Sequence, residues 1–412
     1  MRRIPLLCLL VLTGTLFADE PAFPKFKMQE IATDLTVGYA VITADVNEDG
    51  KPDIVVVDSK RVVWYENPTW KMHTIISGKT KPDNVCIAAA DIDGDGHIDF
   101  VLGADWKPFN TKEGGTLQWL KRGKTLDEEW SVYPIAEEPM VHRVRMANID
   151  GSGKPAIILA PLMGRDSSAK GNWMDGRPVR ILAFPIPKDP VKGPWKPIVL
   201  SEKFHIVHNI WPDERSGRAK IYTASNEGVS IITDQADMIP ARGNWTSFRL
   251  GEGVHPFPKA DVGASEVKFG RLKSDKPYVA TVEPWHGNQV VAYTPPVRDD
   301  APKPWDRHLI DDHLRWGHAL WCADLDGDKN DEIVVGVRDN PAKGDTFAEK
   351  CGVRIYKATD GVGKKWARQI VDDGGIAVED LTVADLNGDG KPDIIAVGRG
   401  THNARIYWNQ GK

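Results

Sequence analysis

Cysteine is scarce in this chain. It has four in 412 residues, and Cys8 lies in an N-terminal apolar stretch. The remaining Cys86, Cys322 and Cys351 are too few, and odd in number, for a disulfide framework. Cys86 and Cys322 read as small buried hydrophobes in apolar strands. Charge of one sign is lacking too. A formal net charge of -5 is too mild to argue for nucleic acid or an anionic membrane surface as a partner. Beyond the N-terminus no segment is apolar enough to cross a bilayer. Gly-rich phosphate loops, nucleophile elbows, HExxH and CxxC are all absent, so none of those motif-borne chemistries is indicated.

The N-terminus reads as an export signal over residues 1–18. Arg2 and Arg3 give the positive start, Ile4 to Phe17 the apolar stretch, and Ala18 the small residue before cleavage. The expectation is a chain starting near Asp19 in the periplasm or outside the cell.

The chain is rich instead in an acidic glycine loop that recurs. Residues 45–53 read DVNEDGKPD, 91–99 DIDGDGHID, 324–332 DLDGDKNDE and 385–393 DLNGDGKPD, with a weakened copy, NIDGSGKPA, at 148–156. Each is followed by a short apolar run. An oxygen-rich loop feeding a strand, copied along a chain, signals a repeat architecture.

Three other strands travel with the loop. A strand (A) precedes it, as at 39–44, 85–90 and 318–323. The apolar run after it is strand B. An often aromatic strand C follows at 61–67, 116–121, 179–184, 229–233, 290–294, 353–357 and 404–409. Strand D, usually opening on Trp, comes at 70–76, 129–135, 195–200, 245–250, 305–310 and 366–371. The period is that of β-structure, with Gly, Pro and Asn between runs, and no helical period competes. Seven C strands face six D strands, and residues 26–32 carry the missing D pattern. The expectation is an all-β, seven-bladed β-propeller of four-stranded blades, residues 19–412, with 26–32 as an N-terminal outer strand completing the last blade.

In 91–99, Asp91, Asp93 and Asp95 place carboxylates on alternate residues, Gly96 allows a sharp turn and Asp99 closes the cage. A hard cation wanting six or more oxygens needs such a loop, so calcium is expected. Asp45, Asn47, Asp49 and Asp53 repeat the set, as do Asp385, Asn387, Asp389 and Asp393. Asp324, Asp326, Asp328 and Glu332 form a variant with Lys329 in place of glycine, while 148–156 has lost its last acid to Ala156. Plain Asp-rich turns are the alternative. Calcium here would be structural, neutralising clustered acids on the face away from the active one.

The other face gathers different chemistry. Six residues before each loop, or its equivalent, stand Tyr39, Val85, His142, His208, Glu266, His318 and Glu379, with Asp83, Arg143, Asn209 and Asp380 beside them. The B–C loops add Asp105 and Trp106, Arg165 and Asp166, Glu283, Trp285 and His286, Arg338 and Asp339, and Arg399 and His402. The polar loop 163–178, with Trp173, reads as a lid. Imidazoles and carboxylates converging from several blades can bind a divalent metal or do acid–base work. Solvated or hydrogen-bonded channel histidines are the plainer alternative.

The loop–strand repeats resemble the FG-GAP/VCBS family. More narrowly, VHRVRMANIDG 141–151, ILAPLMGR 158–165, FHIVHN 204–209, EPWHGNQVVAYTP 283–295 and GHALWCADLDGD 317–328 are similar to the propeller domain of aldos-2-ulose dehydratase and its bacterial relatives. That resemblance implies elimination of water from an oxidised (keto) sugar at a metal-containing site, with His142, His208, Glu266, His286 and His318 at matching positions. The sequence ends after the last expected blade without cupin segments, which implies that the isomerase half of that chemistry is absent. Catalytic candidates are then His142, His208, Arg143 and His286. Substrate contacts are Tyr39, Asp83, Trp106, Arg165, Trp173, Trp285, Glu379 and Arg399. Glu266, His208 and His318 are candidate ligands of a second divalent metal, beside structural calcium. A carbohydrate or oxidised sugar is the expected partner. The competing reading is a non-catalytic, calcium-stabilised propeller that binds a glycan or a protein.

Overall fold

The computed structural model describes residues 22–235, 243–254, 262–273, 275–296, 304–314, 316–338 and 350–412. The export-signal reading of 1–18 and Asp339 lie outside the described residues. Among the described residues there are seven four-stranded antiparallel sheets. The innermost strands are Ala40–Ala44, Cys86–Ala90, Val141–Ala147, Val207–Asp213, Glu266–Leu272, Gly317–Ala323 and Val378–Ala384. Each touches the next, and the last touches the first, which makes a seven-bladed propeller ring. Phe26–Ala32 pairs with Ala404–Asn409 as the outer strand of the seventh sheet. Among the described residues no helix is long and apolar enough to cross a membrane.

Each blade runs from a fully buried centre to a wet rim. The B strands Asp53–Asp58, Asp99–Ala104, Ala156–Pro161, Glu332–Val337 and Asp393–Gly398 are buried at every position. Blades stack face to face, so a B strand has a neighbour on both sides. It therefore reads as an unbroken apolar run rather than alternating. The outer strands are more open: Lys71–Ser77 is exposed at four of its seven positions.

In three blades the Trp that opens a D pattern, Trp70, Trp130 or Trp305, stands one residue before the strand, while Trp245 and Trp366 begin theirs. Trp130 is fully buried ahead of Ser131–Glu137, and its N–H bonds Ile75 O of the preceding blade at 2.9 Å. Trp305 makes the same tie to Leu250 O at 2.7 Å. In the third blade the outer strand is Ile198–Phe204, later than the sequence pattern placed it. Pro194 and Pro197 supply no N–H there, so pairing starts after them.

The acidic loops clamp the ring. Their second residues, Val46, Ile92, Ile149, Leu325 and Leu386, are buried. Their last acids, Asp53, Asp99, Glu332 and Asp393, are fully buried. Asp53 accepts Val46 N–H at 2.9 Å and Asn67 N–H at 2.8 Å. Asp393 does the same for Leu386 (3.1 Å) and Asn409 (2.8 Å). Asn67 then donates to Leu386 O and Asn409 to Leu325 O, each at 2.7 Å, tying one blade to the loop of its neighbour. The repeat is thus a fold determinant through its own hydrogen bonds.

Candidate functional site

The A strands begin at the channel mouth, and four of them are irregular there. Pairing with strand B slips between Val141 and Arg143, Val207 and Asn209, Gly317 and Ala319, and Val378 and Asp380. The skipped residues are His142, His208, His318 and Glu379. A bulge leaves one residue outside the ladder and re-aims its side chain, which is how four separate blades turn these groups toward one point. Glu266 opens its strand in regular pairing.

The imidazoles are then oriented from behind. His142 Nδ1 lies 3.0 Å from His208 O, His208 Nδ1 3.0 Å from Ser265 O, and His318 Nδ1 2.5 Å from Glu379 O. A carbonyl only accepts, so Nδ1 carries the proton and Nε2 presents a lone pair to the channel. Glu266 Oε1 also accepts from His208 Nδ1 at 3.0 Å, while its other oxygen takes Asn209 Nδ2 at 2.5 Å. His286 enters from the fifth blade's B–C loop, its Nε2 3.0 Å from that of His208. Two bare lone pairs repel at that distance, so a proton or a cation must lie between them. Ligand atoms of His208, His286 and His318 all fall within 4.8 Å of one another. Imidazoles at about 2.0–2.1 Å from a metal span such distances, and three histidines with an open position suit zinc or a similar ion.

Burial holds all four imidazoles below their ordinary range, most strongly His142, His286 and His318. Neighbouring cations and other imidazoles push His142, His286 and His318 the same way, whereas Glu266 works against burial at His208. They are neutral at pH 7, the form that binds metal or accepts a proton. Burial raises the Glu266 carboxyl, but His208, Arg143 and Lys268 pull it down further, leaving it ionised.

Above this floor lies a pocket of about 240 Å³. Trp106, Trp285, Tyr39, Glu379 and Arg399 line it as the sequence suggested, and Arg338 and Phe109 join them. Tyr39 donates to Asp83 Oδ2 at 2.9 Å, and burial with that carboxylate raises its phenol. Glu379 is bracketed by Arg338 and Arg399, at 3.0 and 2.9 Å. Trp106 leans on His142 with centroids 5.4 Å apart, and Trp285 on His286 at 5.3 Å. Trp173, in the 163–178 loop, stacks on Phe109 and lines a side hollow of about 80 Å³ shared with Trp285 and His208. Left-handed backbone at Phe109 (φ 63°), Met140 (62°), Trp173 (60°), His286 (49°) and Trp316 (57°) surrounds the pocket. Such strain costs about 1–3 kcal/mol per residue and gathers where side chains must be aimed.

Three expected residues stand elsewhere. Glu266 is not beside His318 as a ligand; it sits behind His208, and His286 takes its place in the cluster. Arg165 is outside the pocket, paired with Glu138 at 2.9 Å and lining an outer groove. Glu283 is fully buried and bound to Arg307, a structural pair. His286 stood in the sequence as a loop histidine that the resemblance made a catalytic candidate, and nothing local marked it as the partner of His208.

The acidic loops leave the opposite end of the blades, since they join strands A and B. Asp91, Asp93 and Asp99 can converge on one ion, as can Asp324, Asp326 and Glu332. Asp93 Oδ1 and Glu332 Oε1 are buried without a hydrogen-bond partner, the donor deficit a cation would fill. In the second and sixth blades an ammonium already reaches in. Lys121 binds Asp93 and, at 2.9 Å, Asp95. Lys357, at the equivalent place, binds Asp326 and, at 2.6 Å, Asp328. The first and seventh blades carry Glu66 and Trp408 there, and their loops meet only their own exposed lysines, Lys51 at 3.6 Å from Asp49 and Lys391 at 3.1 Å from Asp389.

Residues 114–296 match the family described as the β-propeller domain of aldos-2-ulose dehydratase, and residues 45–102 and 324–396 match the FG-GAP-like repeat. A curated relative, aldos-2-ulose dehydratase of Phanerodontia chrysosporium, is 26% identical over 275 residues, taking in 62% of this chain and 29% of that enzyme. The match thus spans less than a third of that enzyme's length. Among solved structures, BBS1N in complex with ARL6DN has a TM-score of 0.53 at 13% identity, covering 94% of this chain and 97% of that one. YCF48 from Cyanidioschyzon merolae has a TM-score of 0.51 at 10% identity, covering 93% and 98%. These two show the fold alone. The chain is a seven-bladed propeller with FG-GAP-like repeats, distantly related to a sugar dehydratase.

Proposed function

We propose that the chain is a carbohydrate-active lyase that removes water from an oxidised (keto) sugar or glycoside. The observation that carries this reading is the cluster of neutral imidazoles whose Nε2 atoms meet at the floor of an aromatic pocket, in a chain related to a dehydratase. His208, His286 and His318 would hold a divalent metal. When bound, that ion supplies Lewis-acid polarisation of the substrate carbonyl.

His142 is the assigned proton acceptor. Its Nδ1–H is tied to His208 O, and its Nε2 now accepts from Arg143 Nη1 at 3.2 Å. A substrate oxygen that draws the guanidinium away frees the Nε2 lone pair. The C–H proton beside the carbonyl passes to Nε2, its electron pair forms the C=C bond, and the β-hydroxyl leaves with the C–O pair, taking the proton back from the His142 imidazolium to depart as water and restore the neutral base. Arg143 then faces the oxyanion that develops on the carbonyl. Tyr39 with Asp83, and Glu379 with Arg399, bind hydroxyls, while Trp106, Trp173 and Trp285 flank the ring. The acidic loops take structural calcium, supported by their partnerless buried oxygens. Export is supported by Arg2, Arg3 and the apolar stretch after them.

The test is an absorbance screen for enone formation on glucosone, anhydrofructose and 3-keto-glycosides with zinc- or manganese-loaded protein. Turnover lost in His142→Ala, with sugar binding retained, is the expected result. Sugar binding without any enone from the unaltered protein would overturn it and assign a glycan-binding module.

A further inference from the structure

Beneath the histidine floor the channel widens into a second chamber of about 350 Å³. Tyr39, Val85 and Arg143 border both spaces and form the partition. The lower chamber has other walls. Trp211 and Trp321 meet edge to face, with centroids 5.1 Å apart. Lys268 lies over Trp211 at 3.9 Å from the ring centroid and 5.2 Å from that of Trp321. Arg145 stands over the same Trp211 at 5.6 Å.

The charges of this chamber do not balance. Its lining holds three cations, Arg143, Arg145 and Lys268, and one carboxylate, Asp380. Asp380 accepts the Val41 N–H at 3.0 Å. Arg143 is partly met by Glu266, at 3.8 Å. Arg145 gives two nitrogens to Val144 O and Asn209 Oδ1, but its Nε is buried without an acceptor. Lys268 is 4% exposed, and among the described residues no oxygen accepts from its ammonium. Asp380 and Glu266 act on it only at a distance, and burial pushes its pKa down to about 7; an ammonium so buried is costly unless something anionic reaches it. The chamber is large enough for a small ligand.

We propose that this lower chamber is an oxyanion-binding site for a carboxylate- or phosphate-bearing ligand of up to monosaccharide size. Lys268 and Arg145 hold the oxyanion, and Trp211 and Trp321 wall its neighbouring atoms. The site is distinct from the histidine cluster and does not rest on the activity proposed for it.

The experiment is a titration of the full chain with inorganic phosphate, acetate and glucuronate at constant ionic strength, read by tryptophan fluorescence and by Tm. Trp211 and Trp321 report directly. A saturable fluorescence change and a Tm rise are expected, weakened at least ten-fold in Lys268→Met and in Arg145→Met. Lys268→Met should melt higher than the unaltered protein without anion, because it deletes the unpaired charge. His286→Ala should bind the anions unchanged, which separates this site from the upper one. Tighter binding of glucuronate than acetate places a sugar ring in the chamber; equal binding assigns the carboxylate alone, and both support the site. No saturable response to any of the three, or equal affinity in Lys268→Met, overturns it.

Discussion

Glu266→Gln should loosen the histidine cluster while leaving the ring folded. Glu266 is 2% exposed and accepts from His208 Nδ1 at 3.0 Å and from Asn209 Nδ2 at 2.5 Å. Glutamine keeps one acceptor oxygen. If that oxygen serves His208, the new amide N–H₂ meets the Asn209 N–H₂. Asn209 cannot simply flip, because its Oδ1 already accepts from Ile210 N at 2.8 Å and Arg145 Nη2 at 3.2 Å. One buried donor is therefore stranded, at about 1–3 kcal/mol. Each kcal/mol moves Tm by about 2–4 °C in a domain of roughly 150–250 residues, so a fall of only a few degrees is expected for this longer chain. Loss of the carboxylate behind a ligating histidine should also weaken metal binding by about 10–100-fold. Calorimetry and competition against a chromophoric chelator, with zinc as the probe, measure the two effects. A glutamine variant with unaltered zinc affinity and unaltered Tm would refute the claim that Glu266 orients His208.

His286→Ala and His318→Ala should each abolish stoichiometric zinc binding, read by elemental analysis, whereas Arg165→Ala should not, because Arg165 faces an outer groove. Burial raises the acids of the loops: Asp99 and Asp393 to about 6 and Glu332 to about 8. A carboxyl raised on folding stabilises fully below its unfolded value and loses that contribution as pH rises through the folded one. In chelator, Tm should thus gain less from these loops at pH 8 than at pH 5, and the increment from added calcium should grow over the same window. An increment that stays flat with pH would count against cation binding there. Lys121→Met should lower Tm in chelator, by leaving Asp93 and Asp95 facing each other, yet tighten calcium binding; calcium titrations of the two proteins decide it, and equal affinities would show that the ammonium does not compete.

Much of the fold was legible because a propeller repeats short-range signals. Two-residue alternation, the Trp before an outer strand and the acidic loop after an inner one are all local, and seven copies reinforce one another. The third blade's outer strand was misplaced because Trp195 matched the pattern while Pro197 forbade pairing. From the residues alone the site was legible as a ring of positions, since His142, His208, His318 and Glu379 all stand at the start of inner strands; His286 entered as a catalytic candidate through the resemblance. Arg165 matched the loop position but found Glu138, an acid distant in sequence and equally silent there.

The sequence by itself determined the strand order, the blade count and which residues could reach the channel mouth, since those follow from period and spacing along one strand. Tertiary structure alone decided which of them meet. The bulges at His142, His208, His318 and Glu379 are mismatches between two strands, and no single strand carries them. The same holds for His286 opposite His208, Glu266 behind it, Lys121 and Lys357 inside acidic loops, and Lys268 over two indoles. Each is a contact between segments that meet only in the folded chain, the lysines within one blade and the others between neighbouring blades.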